Sequence, residues 1–258
     1  MSFFSIDRLS VIFGGLRAVS NVSLQLGEGE IHGVIGPNGA GKTSLINAVS
    51  GLVPIAEGRI QLNDVPLHTL PPHRRAEVGI GRTFQHGELF PDQTVVANVM
   101  TGGYAHRKSS LLQDLLGTPA KASAEREARR EAENVLDAFG LLPLGDALVG
   151  DLPFGTIKKI DLARALVAKP RVLMLDEPTS GMNETEAQEV IAACRRIAGE
   201  LRVTLLVIEH NMRVIMGLAH TIHVLDHGEK IAEGTPEQVQ RNPLVIEAYL
   251  GHGSVTHA

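Results

Sequence analysis

Residues 36 to 43 read Gly36, Pro37, Asn38, Gly39, Ala40, Gly41, Lys42 and Thr43, and no other stretch limits the possible folds of this chain so strongly. Glycines at this density let the backbone turn its N–H groups inward around a small concave space. The flanks decide what the turn connects. Ile31 to Ile35 reads as a buried strand, and Ser44 to Ser50 continues as a helix that Gly51 and then Pro54 stop. Strand, loop and helix together place the positive end of a helix over an anion site that fits β- and γ-phosphates. Lys42 adds a mobile cation and the Thr43 hydroxyl a ligand for Mg2+, so nucleotide binding is the leading expectation.

Composition narrows the rest. The 258 residues are 43% hydrophobic, which suffices for a substantial core and suits either one domain or a domain carrying a lobe. With 24 Lys and Arg against 29 Asp and Glu, a formal charge of -5 gives no global support for a nucleic-acid surface, and no nucleic-acid partner is expected. The single cysteine, Cys194, excludes an internal disulfide, suits a reducing compartment and reads as core filler. No apolar run approaches the roughly 18 residues of a membrane helix, and the amino terminus shows no basic segment followed by an apolar core. Any service to a membrane is therefore expected to be peripheral.

Along the chain, Ser5 to Ile60 reads as strands and tight turns, with Val11, Ile12, Phe13, Gly14, Gly15 and then Val22 to Leu26 as examples. Between His86 and Leu166 the pattern turns helical. Ala128, Ala132, Val135, Leu136 and Phe139 recur at helical spacing opposite Glu125, Arg126, Arg129, Arg130 and Glu133, with Glu125 and Arg129 placed for an i,i+4 pair. Strand character returns at Val172 to Leu175 and Val203 to Ile208 with a helix between them, which implies a parallel sheet. Ser109 to Lys121 is the best candidate for a flexible connection, and Gly251 to Ala258 reads as a loose tail.

Two further elements carry chemistry. The strand Val172 to Leu175 delivers Asp176 and Glu177 to its carboxyl end, where ligands of open α/β sheets bind. Asp176 is placed to hold Mg2+ through its water shell, and Glu177 to orient or deprotonate an attacking water. The strand Val203 to Ile208 runs through Glu209 into His210, which is positioned to hydrogen-bond a γ-phosphate. His220, His223 and His227 form a weak metal pattern, because their spacing mixes strand and turn positions.

In this order the pieces resemble the nucleotide-binding subunit of an ABC transporter, over essentially the whole chain. The resemblance makes residues 36 to 44, Ser44 included, the Walker A motif, Asp176 and Glu177 the end of Walker B, and His210 the switch histidine. It makes Gln85, within Arg82, Thr83, Phe84, Gln85 and His86, the Q-loop glutamine on Mg2+, and Phe13 the aromatic stacked on adenine. Ser180, Gly181, Met182 and Asn183 correspond to the D-loop, with Asn183 where aspartate is more usual. That form, the stretch Arg82 to Pro91 and the carboxyl-terminal segments Gly234 to Val239 and Asn242 to Gly251 are similar to the larger ATPase subunit of branched-chain amino acid type importers. The fold implied is an α/β P-loop core with a mixed, mainly parallel sheet, an antiparallel β subdomain and an inserted α-helical subdomain. Residues 1–258 would be one ATPase domain: 1–85 and 166–227 the catalytic core with the β subdomain, 86–165 the helical subdomain, and 228–258 a carboxyl-terminal extension.

One motif departs from the family. Its signature Leu-Ser-Gly-Gly-Gln is here Leu152, Pro153, Phe154, Gly155 and Thr156, while Ile160 to Leu166 keeps the register. In the family this segment reaches the ATP held by the other subunit of a head-to-tail dimer. Pro153 offers neither hydroxyl nor N–H; Thr156 is expected to replace the hydroxyl in part.

The resemblance implies ATP and Mg2+ as ligands, a second ATPase subunit, two membrane permease subunits, an indirect link to a periplasmic solute-binding protein, and a peripheral place on the cytoplasmic face of the inner membrane. Gln85 to Val99 would meet a coupling helix of the membrane subunit. The default cargo is a branched-chain amino acid or a related amino acid, amide or aromatic acid. A soluble ABC-type ATPase working on ribosomes or DNA is the alternative, disfavoured by a single cassette of transporter length; a low-activity nucleotide-binding subunit is another.

Overall fold

The computed structural model describes residues 3–83, 89–103 and 119–251. Gln85, most of the Ser109 to Lys121 connection and the tail beyond Gly251 lie outside them, as does the start of the Gln85 to Val99 segment.

Among the described residues ten strands form two sheets. Strands β1 (Phe4–Phe13) and β2 (Leu16–Leu26) make a hairpin around Gly14 and Gly15, and with β4 (Glu57–Leu62) and the short β5 (Val65–Pro66) they form an antiparallel sheet in the order β2-β1-β4-β5. The second sheet has the order β10-β9-β3-β8-β7-β6, from β3 (Ile31–Ile35), β6 (Ile80–Arg82), β7 (Val172–Asp176), β8 (Thr204–Ile208), β9 (Thr221–Asp226) and β10 (Glu229–Gly234). Its pairings are parallel except for the β9/β10 hairpin. Strands β3, β7 and β8 are buried along their whole length, which is why they read as mainly apolar runs, with His32, Asp176 and Thr204 the buried polar exceptions, rather than as alternating ones.

Alternation sends the side chains of β3 to two different cores. Val34 joins the cluster made by the antiparallel sheet and helix α1 (Lys42–Ser50), while Ile31 and Ile35 join the opposite face. The other α-helices described are α2 (Pro72–Glu77), α3 (Val95–Thr101), α4 (Pro119–Ala138), α5 (Phe154–Val167), α6 (Glu184–Gly199), α7 (Met212–Leu218), α8 (Pro236–Gln240) and α9 (Pro243–Gly251), with short 3-10 turns at Leu67–Thr69, Leu142–Leu144 and Val149–Asp151. A third cluster unites α3, α4 and α5 through Val95, Val99, Ala132, Leu136 and Ile160. Helix α5 serves two cores, since Leu162 and Leu166 turn to the central sheet while Ile160, Ala163 and Val167 face the helical cluster.

The apolar stripe of α4 is buried at Ala128, Ala132 and Leu136. The expected Glu125–Arg129 pair is replaced: Arg129 reaches Glu133 at 2.7 Å and Asp146 at 3.3 Å. Two carboxylates on that side outcompete the single one at Glu125. Cys194 is fully buried in α6, and burial pushes its thiol up to about 12, as befits core filler. No described helix is long and apolar enough to cross a membrane.

A candidate nucleotide site at the strand ends

The loop 36–41 takes its shape from what lies behind it. Gly36 has φ 152°, and a Cβ there would stand 2.0 Å from the Leu225 carbonyl oxygen; Gly41 has φ 96°, and a Cβ would stand 2.4 Å from that of Ala18. Only glycine fits either position. The Gly228 N–H donates to the Ala40 carbonyl at 3.1 Å, and the Ser20 N–H donates to the Gly228 carbonyl at 2.7 Å, so β2 and the β9/β10 turn brace the loop. Gly41 also caps α1 without any side-chain acceptor, leaving the first amides of that helix to an incoming anion. Lys42 lies folded over the loop, its Nζ donating to the carbonyls of Gly36 at 2.7 Å and Pro37 at 2.8 Å. Burial lowers its pKa, and Glu177 and Asp176 oppose that shift.

A cleft of about 430 Å3 opens above the loop. It is lined by Asn38 to Ser44, by Phe13, Leu16, Arg17 and Ala18 of the β1/β2 hairpin, and by Glu177, Ile208 and His227. Phe13 is half-exposed at its rim, as a ring available for stacking must be. Strands β7 and β8 are paired to their ends, where the Glu177 N–H donates to the Ile208 carbonyl at 2.9 Å. Glu177 itself sits at φ 49°, a strained backbone for a residue with a Cβ. His210 Nδ1 lies 3.6 Å from Glu177 Oε1. Asp176 is buried behind this pair; its Oδ2 accepts from Arg82 Nη2 at 3.1 Å, and Arg82 Nη1 donates to Asn47 Oδ1 on α1 at 2.7 Å. Thr43 and Asp176 are hard oxygen donors suited to Mg2+. Among the described residues no three His, Cys, Asp or Glu converge on a metal.

The remaining predicted residues gather elsewhere. Leu152 to Thr156 and Ser180 to Asn183 do not line the cleft and instead adjoin one another. Pro153 is the exposed N-cap of α5, and its carbonyl accepts from the Thr156 and Ile157 amides at 2.9 and 3.0 Å. Phe154 is half-exposed and lies against Gly181, whose Cβ would come 3.4 Å from the ring. Gly155 is packed on Glu186. Asn183 caps α6 in a capping box: its side chain accepts from the Glu186 N–H at 3.0 Å, and Glu186 accepts from the Asn183 N–H at 3.1 Å. Asparagine caps as well as aspartate, so this departure costs the helix little. The three histidines go separate ways. His220 Nδ1 accepts from the Ile31 N–H, His223 stacks on His32, and His227 edges the cleft.

The sequence pattern assigns no role to Leu16, Arg17 or Glu209, names Arg82 only as part of a motif, and places His227 only in the weak histidine pattern rather than at the cleft. An acidic residue following five buried positions of β8 was the one available signal for Glu209.

A phosphate loop feeding a helix, with carboxylates at the ends of neighbouring parallel strands, defines a P-loop ATPase. The ABC transporter family model matches residues 19–180, and a branched-chain amino acid ATP-binding cassette transporter model matches residues 229–255. The chain belongs to the ABC transporter ATPase family. It is 40% identical to the high-affinity branched-chain amino acid transport ATP-binding protein LivG of Escherichia coli strain K12, over 96% of this chain and 97% of that one. It is 38% identical to the corresponding protein BraF of Pseudomonas aeruginosa, over 95% and 96%. Its fold matches a nucleotide-free ATP-binding cassette from an ABC transporter with TM-score 0.84 at 27% identity, covering 96% of this chain and 99% of that one.

Proposed function

We propose that this ATPase powers import of branched-chain amino acids, hydrolysing ATP on the cytoplasmic face of the plasma membrane beside two permease subunits and a second ATPase subunit. The observation that carries the ATPase half is the shared cleft, in which Lys42 and Glu177 face one space bounded by Phe13. The ring of Phe13 holds adenine, residues 36–44 hold the phosphates, and Glu177 orients and deprotonates the attacking water. His210, beside Glu177, contacts the γ-phosphate. Thr43, Asp176 and Gln85 hold Mg2+, which neutralises charge on the phosphates when bound. Leu152 to Thr156 and Ser180 to Asn183 form one surface outside the cleft, and their role is to meet nucleotide on the partner subunit. Residues 86–165 act as the lobe that transmits closure to the membrane, and residues 228–258 as an extension. The cargo rests on the match over residues 229–255 and on the named relatives.

The test is reconstitution of the complex with its permease subunits in vesicles, with ATP inside for the ATPase and solute outside with its binding protein. Uptake of leucine, isoleucine or valine that depends on ATP is the expected result. ATP turnover stimulated only by a different solute class would overturn the cargo, and absence of turnover the activity.

A further inference from the structure

Glu209 is fully buried, yet it carries a carboxylate with both oxygens engaged. Oε1 accepts from the Thr179 N–H at 3.1 Å and from the Thr179 hydroxyl at 2.6 Å; Oε2 accepts from the Asn211 N–H at 3.3 Å. The two ends of this clamp matter for where they lie. Thr179 is two residues past Glu177, at the start of the segment 180–183, and Asn211 follows His210 directly. One carboxylate therefore fastens the loop that carries Glu177 to the loop that carries His210. Glu177 needs such a fastening, because its φ of 49° persists only where the surroundings hold it. A buried charge costs folding free energy unless it is fully hydrogen-bonded, and this one spends its bonds on the two catalytic loops rather than on a surface ion pair.

We infer that Glu209 is a positioning residue for ATP hydrolysis, holding Glu177 and His210 in register through Thr179 and Asn211. The inference rests on the ATPase reading above. Glutamine is not an adequate substitute, since an amide keeps an acceptor for one loop and turns an N–H2 donor toward the N–H of the other. The contact of Glu209 with β3 runs through its backbone, whose N–H donates to the Val34 carbonyl at 3.5 Å, while its side-chain bonds go to Thr179 and Asn211; a side-chain substitution leaves the support of the phosphate loop in place, so binding of ATP is expected to be spared.

The experiment measures ATP turnover and KM in the reconstituted complex for the wild type, Glu209→Gln, Thr179→Val and Thr179→Ser. A hydrogen bond to a charged group is worth enough to lower kcat about tenfold or more in Thr179→Val, and the same loss is expected in Glu209→Gln, with KM for ATP within about threefold of the wild type. Thr179→Ser, which restores the hydroxyl, returns kcat to within about threefold of the wild type. Because Glu209→Gln removes a buried charge and could fail to fold, the Thr179 pair decides by itself. Wild-type kcat in Thr179→Val, or a loss shared equally by Val and Ser, overturns the clamp, and so does a loss expressed mainly as weaker ATP affinity. No turnover in the wild type would instead count against the ATPase reading.

Discussion

Glu177 combines a left-handed backbone with a carboxylate at the edge of the cleft, and strain of that kind is kept where it aims a reacting group. Replacing it by Gln leaves the shape and removes the proposed base, so turnover should fall by about a hundredfold or more while ATP still binds. Near-normal hydrolysis by Glu177→Gln, followed by phosphate release in the complex, would remove Glu177 from that role. Pro153 poses the opposite case, a residue whose chemistry is missing. As N-cap it gives α5 no side-chain acceptor, and it has no hydroxyl to offer a neighbouring nucleotide. Pro153→Ser should raise turnover of the assembled transporter by about tenfold, the value of one charge-assisted hydrogen bond. An unchanged rate would mean that Gly155, Thr156 and the helix end already supply what the serine would.

At the scale of elements, β3, β9 and β10 share a buried histidine pair. His32 Nδ1 and His223 Nε2 are 3.2 Å apart, His32 Nε2 faces Glu30 Oε2 at 3.0 Å, and His223 Nδ1 faces Glu233 Oε2 at 3.4 Å. Burial pushes His223 down to about 4 and lowers His32 as well, against the pull of Glu233 and Glu30, while His220 and Lys230 add to the lowering. An unfolded histidine titrates near its ordinary value of 6.5. The unfolded chain therefore binds the proton first, and the stability present above about pH 6.5 drains away as pH falls toward about 4. Melting temperatures measured across that window should drop less steeply for His223→Leu than for the wild type. Parallel slopes would show that other groups carry the acid response.

For the molecule as a whole, α5 places buried residues in both the helical cluster and the central-sheet core, and Val135 and Phe139 of α4 also pack against both. In α5, Ile160 faces the helical cluster and Leu162 the sheet core, a helical step apart. Ile160→Ala should cost about 2–5 kcal/mol, and because the helix is common to both cores that loss should shift a single unfolding transition. Denaturant curves followed by a probe on α4 and a probe on β8 should superimpose in this variant. Separate midpoints would mean that the lobe melts alone.

What the amino-acid sequence determined was local. The loop 36–43, its strand and its helix lie within twenty residues, and glycine spacing, apolar runs and helix stops encode such a unit directly. The candidates Asp176, Glu177 and His210 could be singled out for the same reason, each standing at or shortly past the end of a mainly apolar strand. The tertiary structure alone decided which of those strand ends are neighbours, and with them the side chains that complete the site. Arg82 meets Asp176 across 94 residues, Glu209 meets Thr179 across 30, and His32 meets His223 across 191. Such partners are set by strand order and by the pleat, which turns a residue to one face or the other according to everything packed around the sheet. A buried carboxylate looks in sequence like any other glutamate. Only the closed fold shows that its two oxygens hold two loops.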